Sequence, residues 1–85
     1  MLNKNLLFKH VKNGKTVRLS CKVTDEIIYT IYLQLINGLY SIHYYYYSDG
    51  NDVFNEKNYR DEHTYNYDDF NKLYTALLVK FPDFA

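Results

Sequence analysis

Ile27 to Ser48 reads IIYTIYLQLINGLYSIHYYYYS, and Asn37-Gly38 divides it into two apolar, β-branched and aromatic runs. A type I′ turn needs two consecutive residues that tolerate positive φ, so Asn-Gly at this place is a strong hairpin signal. With Asn37 and Gly38 as the loop, Ile36 pairs with Leu39, Leu33 with Ile42 and Ile31 with Tyr44. One face then carries Ile27, Tyr29, Ile31, Leu33 and Leu35 against Tyr40, Ile42, Tyr44 and Tyr46, and this is the core face. The other carries Ile28, Thr30, Tyr32, Gln34 and Ile36 against Leu39, Ser41, His43, Tyr45 and Tyr47, and it is mixed. A slip of one residue would exchange the two faces, so the pattern fixes the register.

The flanking segments follow from the same reasoning. Thr16 to Thr24 alternates strictly, with Val17, Leu19, Cys21 and Val23 on one side, as a half-buried strand does. For these to join the core face, Leu19 must oppose Ile31 and Val23 must oppose Ile27. That leaves Thr24-Asp25-Glu26 as a three-residue loop. Upstream, Leu2 to Lys12 has a short helical stripe of Leu2, Leu6, Leu7, His10 and Val11, with Phe8 off it; Asn13-Gly14 ends it. Downstream, Phe70, Leu73, Tyr74, Leu77, Leu78 and Phe81 form the stripe of an amphipathic helix that Pro82 ends. Asn66 suits its N-cap, with Asp69 in the capping-box position and Tyr65 and Phe70 placed as a hydrophobic staple. Ser48 to Asp52 is a turn cluster. Val53 to Glu62 is expected to hold a short helix, with an irregular stretch as the alternative. The expected architecture is α+β: one domain over residues 1–85, a three-stranded antiparallel meander packed by an N-terminal and a C-terminal helix, in the order α-β-β-β-(α)-α.

Eighty-five residues support one modest core and no deep cleft between domains. Cys21 is the single cysteine, so neither an internal disulfide nor a cysteine zinc site can be built, and its alternation with Val and Leu makes it a small core residue. His10, His43 and His63 are scattered, and no metal spacing, phosphate loop or nucleophile elbow occurs. The expectation is a non-enzyme without cofactor or metal. No stretch reads as a signal peptide or reaches a membrane-spanning length, which fits a cytoplasmic protein.

Net charge is zero, but its layout is uneven. Lys4, Lys9, Lys12, Lys15, Arg18 and Lys22 precede Asp25 without any acid between them. Asp49, Asp52, Glu56, Asp61, Glu62, Asp68 and Asp69 then stand against only Lys57 and Arg60. Such asymmetry is a prior for interaction surfaces. One reading is a nucleic-acid face: Arg18, Lys22, Tyr32, His43, Tyr45 and Tyr47 share the outer side of the sheet, where aromatic rings can stack unpaired bases. A face using tyrosine for cross-strand pairing, or for dimerisation, is the alternative. A second reading takes the carboxylates as mimics of nucleic-acid phosphates, since arginine binds both in the same bidentate way. The plainer view makes them solvated turn residues and first-turn helix acids.

Several short stretches resemble one family. Thr16-Val17-Arg18-Leu19-Ser20 after a short leading helix, Asn37-Gly38 between the second and third strands, Tyr67-Asp68-Asp69 near the last helix, and Leu73-Tyr74 after it fall in one order along nearly the whole chain. In that order they are similar to the small phage-encoded type II-A anti-CRISPR proteins of αβββαα fold, which inhibit Cas9. The resemblance implies a host-cytoplasmic inhibitor that covers the cleft where the guide-loaded nuclease reads its short DNA signal through paired arginines. Asn37 and Gly38 would lie in a contacting loop, and Tyr67, Asp68 and Asp69 would meet the reading region. Asp61 and Glu62 join this set only by charge and proximity. The chain departs from the family in being neutral overall, in placing Leu39 and Tyr40 after the glycine where the family has an acid, and in interrupting the acidic run with Phe70. A nucleic-acid-binding module and an accessory homodimer remain the alternatives.

Overall fold

A computed structural model describes residues 3–47 and 59–85, with Tyr47 described through its backbone alone. The elements run α1 (Lys4–Lys12), β1 (Val17–Lys22), β2 (Ile28–Ile36), β3 (Leu39–Tyr47), β4 (Tyr59–Tyr67) and α2 (Phe70–Lys80), followed by a 3₁₀ turn at Pro82–Phe84. The strands form one antiparallel sheet in the order β1-β2-β3-β4. No helix among the described residues is long and apolar enough to cross a membrane.

The hairpin has the expected register: Ile36 opposes Leu39, Leu33 opposes Ile42 and Ile31 opposes Tyr44. Asn37 and Gly38 have φ of 52° and 80°, which is why this dipeptide and few others can close the loop. A Cβ on Gly38 would meet nothing within 4 Å, so an alanine there is penalised by its backbone alone. Gly38→Ala is expected to cost about 1–2 kcal/mol, read as a lowered urea midpoint with an unchanged slope.

β1 also pairs as the parity of its residues demands, with Leu19 opposite Ile31. The Val23 N–H donates to the Ile27 carbonyl at 2.9 Å, and Thr24 Oγ1 accepts from the N–H groups of Glu26 (3.2 Å) and Ile27 (3.0 Å). The loop is therefore Thr24-Asp25-Glu26. Val23 itself lies beyond the strand end and is 55% exposed, so it does not enter the core with Val17, Leu19 and Cys21 as its parity suggested.

The expected three-stranded sheet is corrected to four strands. Residues 59–62, assigned above to a short helix, belong to β4; Val53 to Asn58 and the turn cluster of Ser48 to Asp52 lie outside the described residues. β4 reads YRDEHTYNY. Its inward positions, His63, Tyr65 and Tyr67, oppose Tyr44, Ile42 and Tyr40, and aromatic and β-branched residues suit a pleated surface. The signal was hidden because the acid pair Asp61-Glu62 breaks the alternation. At that point the ladder shifts register: Tyr44 opposes His63 and Tyr46 opposes Arg60, so two residues stand against Tyr45. This is a β-bulge, and Asp61 takes the left-handed φ of 49° that one bulge type requires.

The start of α2 is corrected as well. Asp69, not Asn66, is the N-cap; its side chain accepts from the Asn71 N–H at 2.9 Å. Asn66 lies inside β4 opposite Ser41, so neither the Asn66 capping box nor the Tyr65–Phe70 staple forms. The apolar stripe behaves as expected: Phe70, Leu73, Leu77 and Phe81 are buried, and Tyr74 and Leu78 are half-buried. α1 starts from Asn3, whose side chain accepts from the Leu6 N–H at 3.1 Å. It ends in a Schellman motif, with the N–H of Lys15 on the His10 carbonyl and that of Gly14 (φ 88°) on Val11. Leu7 and Val11 are buried, but Leu6 is exposed. Phe8 takes its place in the core, with its ring 5.1 Å from Phe70 and 6.2 Å from Tyr40. Both helices cover the same side of the sheet, and the core lies between them and Tyr29, Ile31, Leu33, Ile42 and Tyr44.

Candidate functional site

Two surfaces collect the residues singled out in the sequence. The first is the end of the sheet that carries the β2–β3 loop. Because Tyr40 opposes Tyr67, β4 ends at this same end of the sheet, so Tyr67, Asp68 and Asp69 leave it on the far side of β3 from β2, at the end that carries Asn37 and Gly38. Five of the seven proposed partner-binding residues are thus brought together. Tyr67 is half-buried against the core, while Asn37, Gly38, Asp68 and Asp69 are exposed. The loop is flanked by Ile36 and Leu39, 45% and 42% exposed, so the end is an apolar tip with a polar rim.

The electrostatics of this end are milder than the sequence suggests. Asp68 Oδ1 accepts from Lys72 Nζ at 2.9 Å, one turn along α2. The lysine holds the carboxyl below its usual range, and the carboxylate in turn raises the pKa of the lysine. Asp69 is committed to capping the helix. The two carboxylates remain solvent-facing, but they do not form an uncompensated acidic patch.

Asp61 and Glu62, the other two residues of that set, are not part of this end. The bulge turns them to opposite faces of the sheet. Asp61 points to the helix side, where its carboxylate accepts from the Tyr29 hydroxyl at 2.6 Å and from Lys80 Nζ at 2.8 Å, and pairs with His63 Nε2 at 3.0 Å. Lys80 first and the tyrosine second pull its pKa down to about 2. Tyr29 shifts the other way, pushed up by burial and by the carboxylate it donates to. Tyr44, beside it, is raised to about 12, mainly by burial and then by Tyr65. Lys80 Nζ also lies 5.5 Å and 5.4 Å from the ring centres of Tyr29 and Tyr44. Asp61 is therefore a structural tie among β4, β2 and the end of α2. Glu62 points to the other side and meets His43 Nε2 at 2.9 Å.

The second surface is the outer face, which neither helix covers. The register aligns Arg18, Tyr32, His43 and Thr64 in one row. Tyr32 and His43 stack on each other at 6.1 Å and 19°. Hydrogen bonds from Tyr45 and then Arg18 favour the ionised form of the Tyr32 hydroxyl and lower its pKa. Lys22, also on β1, is exposed and pairs with Asp25 at 3.1 Å. Arg18, Lys22, Tyr32, His43 and Tyr45 do share this face; the side chain of Tyr47 lies outside the described residues. Tyr45, expected to be exposed, is only 5% so. Its ring stacks on Tyr59 at 4.0 Å and 9°, a neighbour supplied by the strand that the sequence reading missed. With Tyr45 occupied, Tyr32 and His43 stacked together and Glu62 beside His43, the face offers few free rings to a base.

Cys21 is buried beneath the end of α2. Burial first and Asp83 second raise its pKa, which suits a core residue and not a nucleophile. Among the described residues, no group of His, Cys, Asp and Glu side chains is placed to hold a metal ion. Comparison with protein-family models, with curated proteins and with solved structures finds no match to the chain.

Proposed function

We propose that this protein is a small inhibitor, phage-encoded in origin, that binds a guide-loaded CRISPR nuclease of the Cas9 type and blocks its DNA-reading cleft by protein–protein contact. The observation that carries the proposal is the pairing of Tyr40 with Tyr67. It gathers Asn37, Gly38, Tyr67, Asp68 and Asp69, the residues that the family resemblance implicates, onto one end of the sheet. The mimicry of DNA is confined to the carboxylates of Asp68 and Asp69. Asp61 and Glu62, held by Tyr29, Lys80 and His43, are left out of the contact. An arginine pair in the target would displace Lys72 from Asp68, since a guanidinium can engage a carboxylate bidentately and an ammonium cannot. Ile36 and Leu39 would add apolar contact around the turn.

The test is DNA cleavage by guide-loaded Cas9 orthologues with and without the protein. Because Asp69 caps α2, its charge is best removed by Asp69→Ser, which keeps a capping oxygen. Asp68→Lys combined with Asp69→Ser is expected to weaken inhibition by at least about tenfold, as removal of charge pairs at an interface does, with the circular dichroism unchanged. Full inhibition by this double variant would overturn the contact surface. Uninhibited cleavage by every orthologue tried would overturn the proposal.

A further inference from the structure

We infer that the outer face of the sheet, which shares Ile36 and Leu39 with the end proposed above to bind the nuclease, pairs two copies of this chain in solution. Ile28, Ile36 and Leu39 lie on this face at 49%, 45% and 42% exposure, large values for apolar side chains around an aromatic centre. Among the described residues its charges are divided by strand: Arg18, and Lys22 with its partner Asp25, stand at the β1 edge, and Glu62 stands on β4 at the other.

That division selects one symmetry. A two-fold axis parallel to the strands, running between β2 and β3, lays each cross-strand row on its own reverse. Ile36 then meets Leu39 of the second copy, Tyr32 meets His43, and the basic edge meets the edge carrying Glu62. A two-fold axis across the strands would lay β1 on β1 and bring Arg18 and Lys22 against their own equivalents. Only the first arrangement is complementary in charge, and it places apolar tip on apolar tip. It also keeps the strands of the two sheets aligned, one of the usual ways sheets stack. Glu62 and Arg18 can engage across the interface without giving up His43 and Tyr32, because a carboxylate accepts several hydrogen bonds and a guanidinium donates five.

The size of the face fits a weak, concentration-dependent dimer. At about 4.8 Å per strand and about 3.3 Å per residue, it presents roughly 500 Å² on each copy. The total of roughly 1,000 Å² is near the lower limit of specific interfaces. A single-stranded nucleic acid is the competing occupant. The carboxylate of Glu62 and the burial of Tyr45 disfavour it.

Sedimentation velocity of the full chain over a wide concentration range tests the inference. The expected result is a reversible monomer–dimer equilibrium. Arg18→Glu, or Glu62→Arg alone, should weaken the dimer by about tenfold or more through like-charge contact, and the two together should restore it. Both positions are exposed, and circular dichroism checks that the fold is kept. A monomer at every concentration would overturn the inference, as would a dimer that ignores both reversals. Binding of a labelled oligothymidylate by a monomer, abolished by Arg18→Glu, would assign the face to nucleic acid instead.

Discussion

Phe81→Ala is expected to destabilise the protein by about 3–4 kcal/mol, the largest effect of any single truncation considered. Phe81 is 1% exposed although it follows the last turn of α2. Its ring meets Tyr29 edge-on at 5.1 Å, Tyr44 at 5.4 Å and 90°, and Phe84 at 6.2 Å. Aromatic pairs in this geometry contribute beyond the area they bury. Truncation also empties a volume that two tyrosines cannot fill, because the Tyr29 hydroxyl is anchored to Asp61. Small domains have only about 5–15 kcal/mol in total, so urea unfolding should show a transition shifted far toward low denaturant. Phe81→Leu should retain most of the stability. A loss below about 1 kcal/mol in the alanine variant would mean that the 3₁₀ turn at Pro82–Phe84 refills the site, and would remove Phe81 from the core.

Phe81 was legible in the sequence because it continues the period of Phe70, Leu73 and Leu77. The β2–β3 register was legible because Asn37-Gly38 favours a two-residue turn with positive φ at both positions, and the Thr24-Asp25-Glu26 loop because a two-residue loop would put Val23 opposite Ile28, on the wrong face. β4 was not. Its inward residues are aromatic but not aliphatic, and the bulge at Asp61 inserts a residue that cancels the period of two. Two further misreadings followed from this one. Tyr45 was expected to be exposed because its stacking partner, Tyr59, belongs to the missing strand, and α2 was started too early because Asn66 was available as a cap. Phe8 illustrates a separate limit: a helical wheel drawn on so short a segment cannot tell which side will meet Tyr40 and Phe70. At the candidate site, charge counted along the chain overstated the acidity. Lys72 and Lys80 lie outside the acidic run in sequence but beside Asp68 and Asp61 in space.

Asp61→Ala should show what the bulge contributes. The substitution removes a carboxylate that accepts from Tyr29 and Lys80 and pairs with His63, and leaves a β-carbon at φ 49° without the polar side chain that makes this conformation tolerable. Hydrogen bonds to a charged group are worth about 1.5–3 kcal/mol, less here because the side chain retains 31% of its exposure. The expected loss is about 2 kcal/mol, or a fall in Tm of about 10 °C for a domain of this size. Asp61→Gly separates the two components. It deletes the same bonds while relieving the backbone, so it should be about 1 kcal/mol less damaging than alanine. Equal losses would locate the whole effect in the side chain. The carboxyl also has a pH signature. Its pKa is about 2 in the fold against an ordinary 3.8, so the unfolded chain takes up its proton first as pH falls. The stabilisation is complete above about pH 4 and is lost between about pH 4 and 2, amounting to about 1–2 kcal/mol after allowance for solvent screening. Wild-type protein should lose stability more steeply than Asp61→Ala across that window. Parallel curves for the two proteins would show that Asp61 is not a charged tie in the folded state.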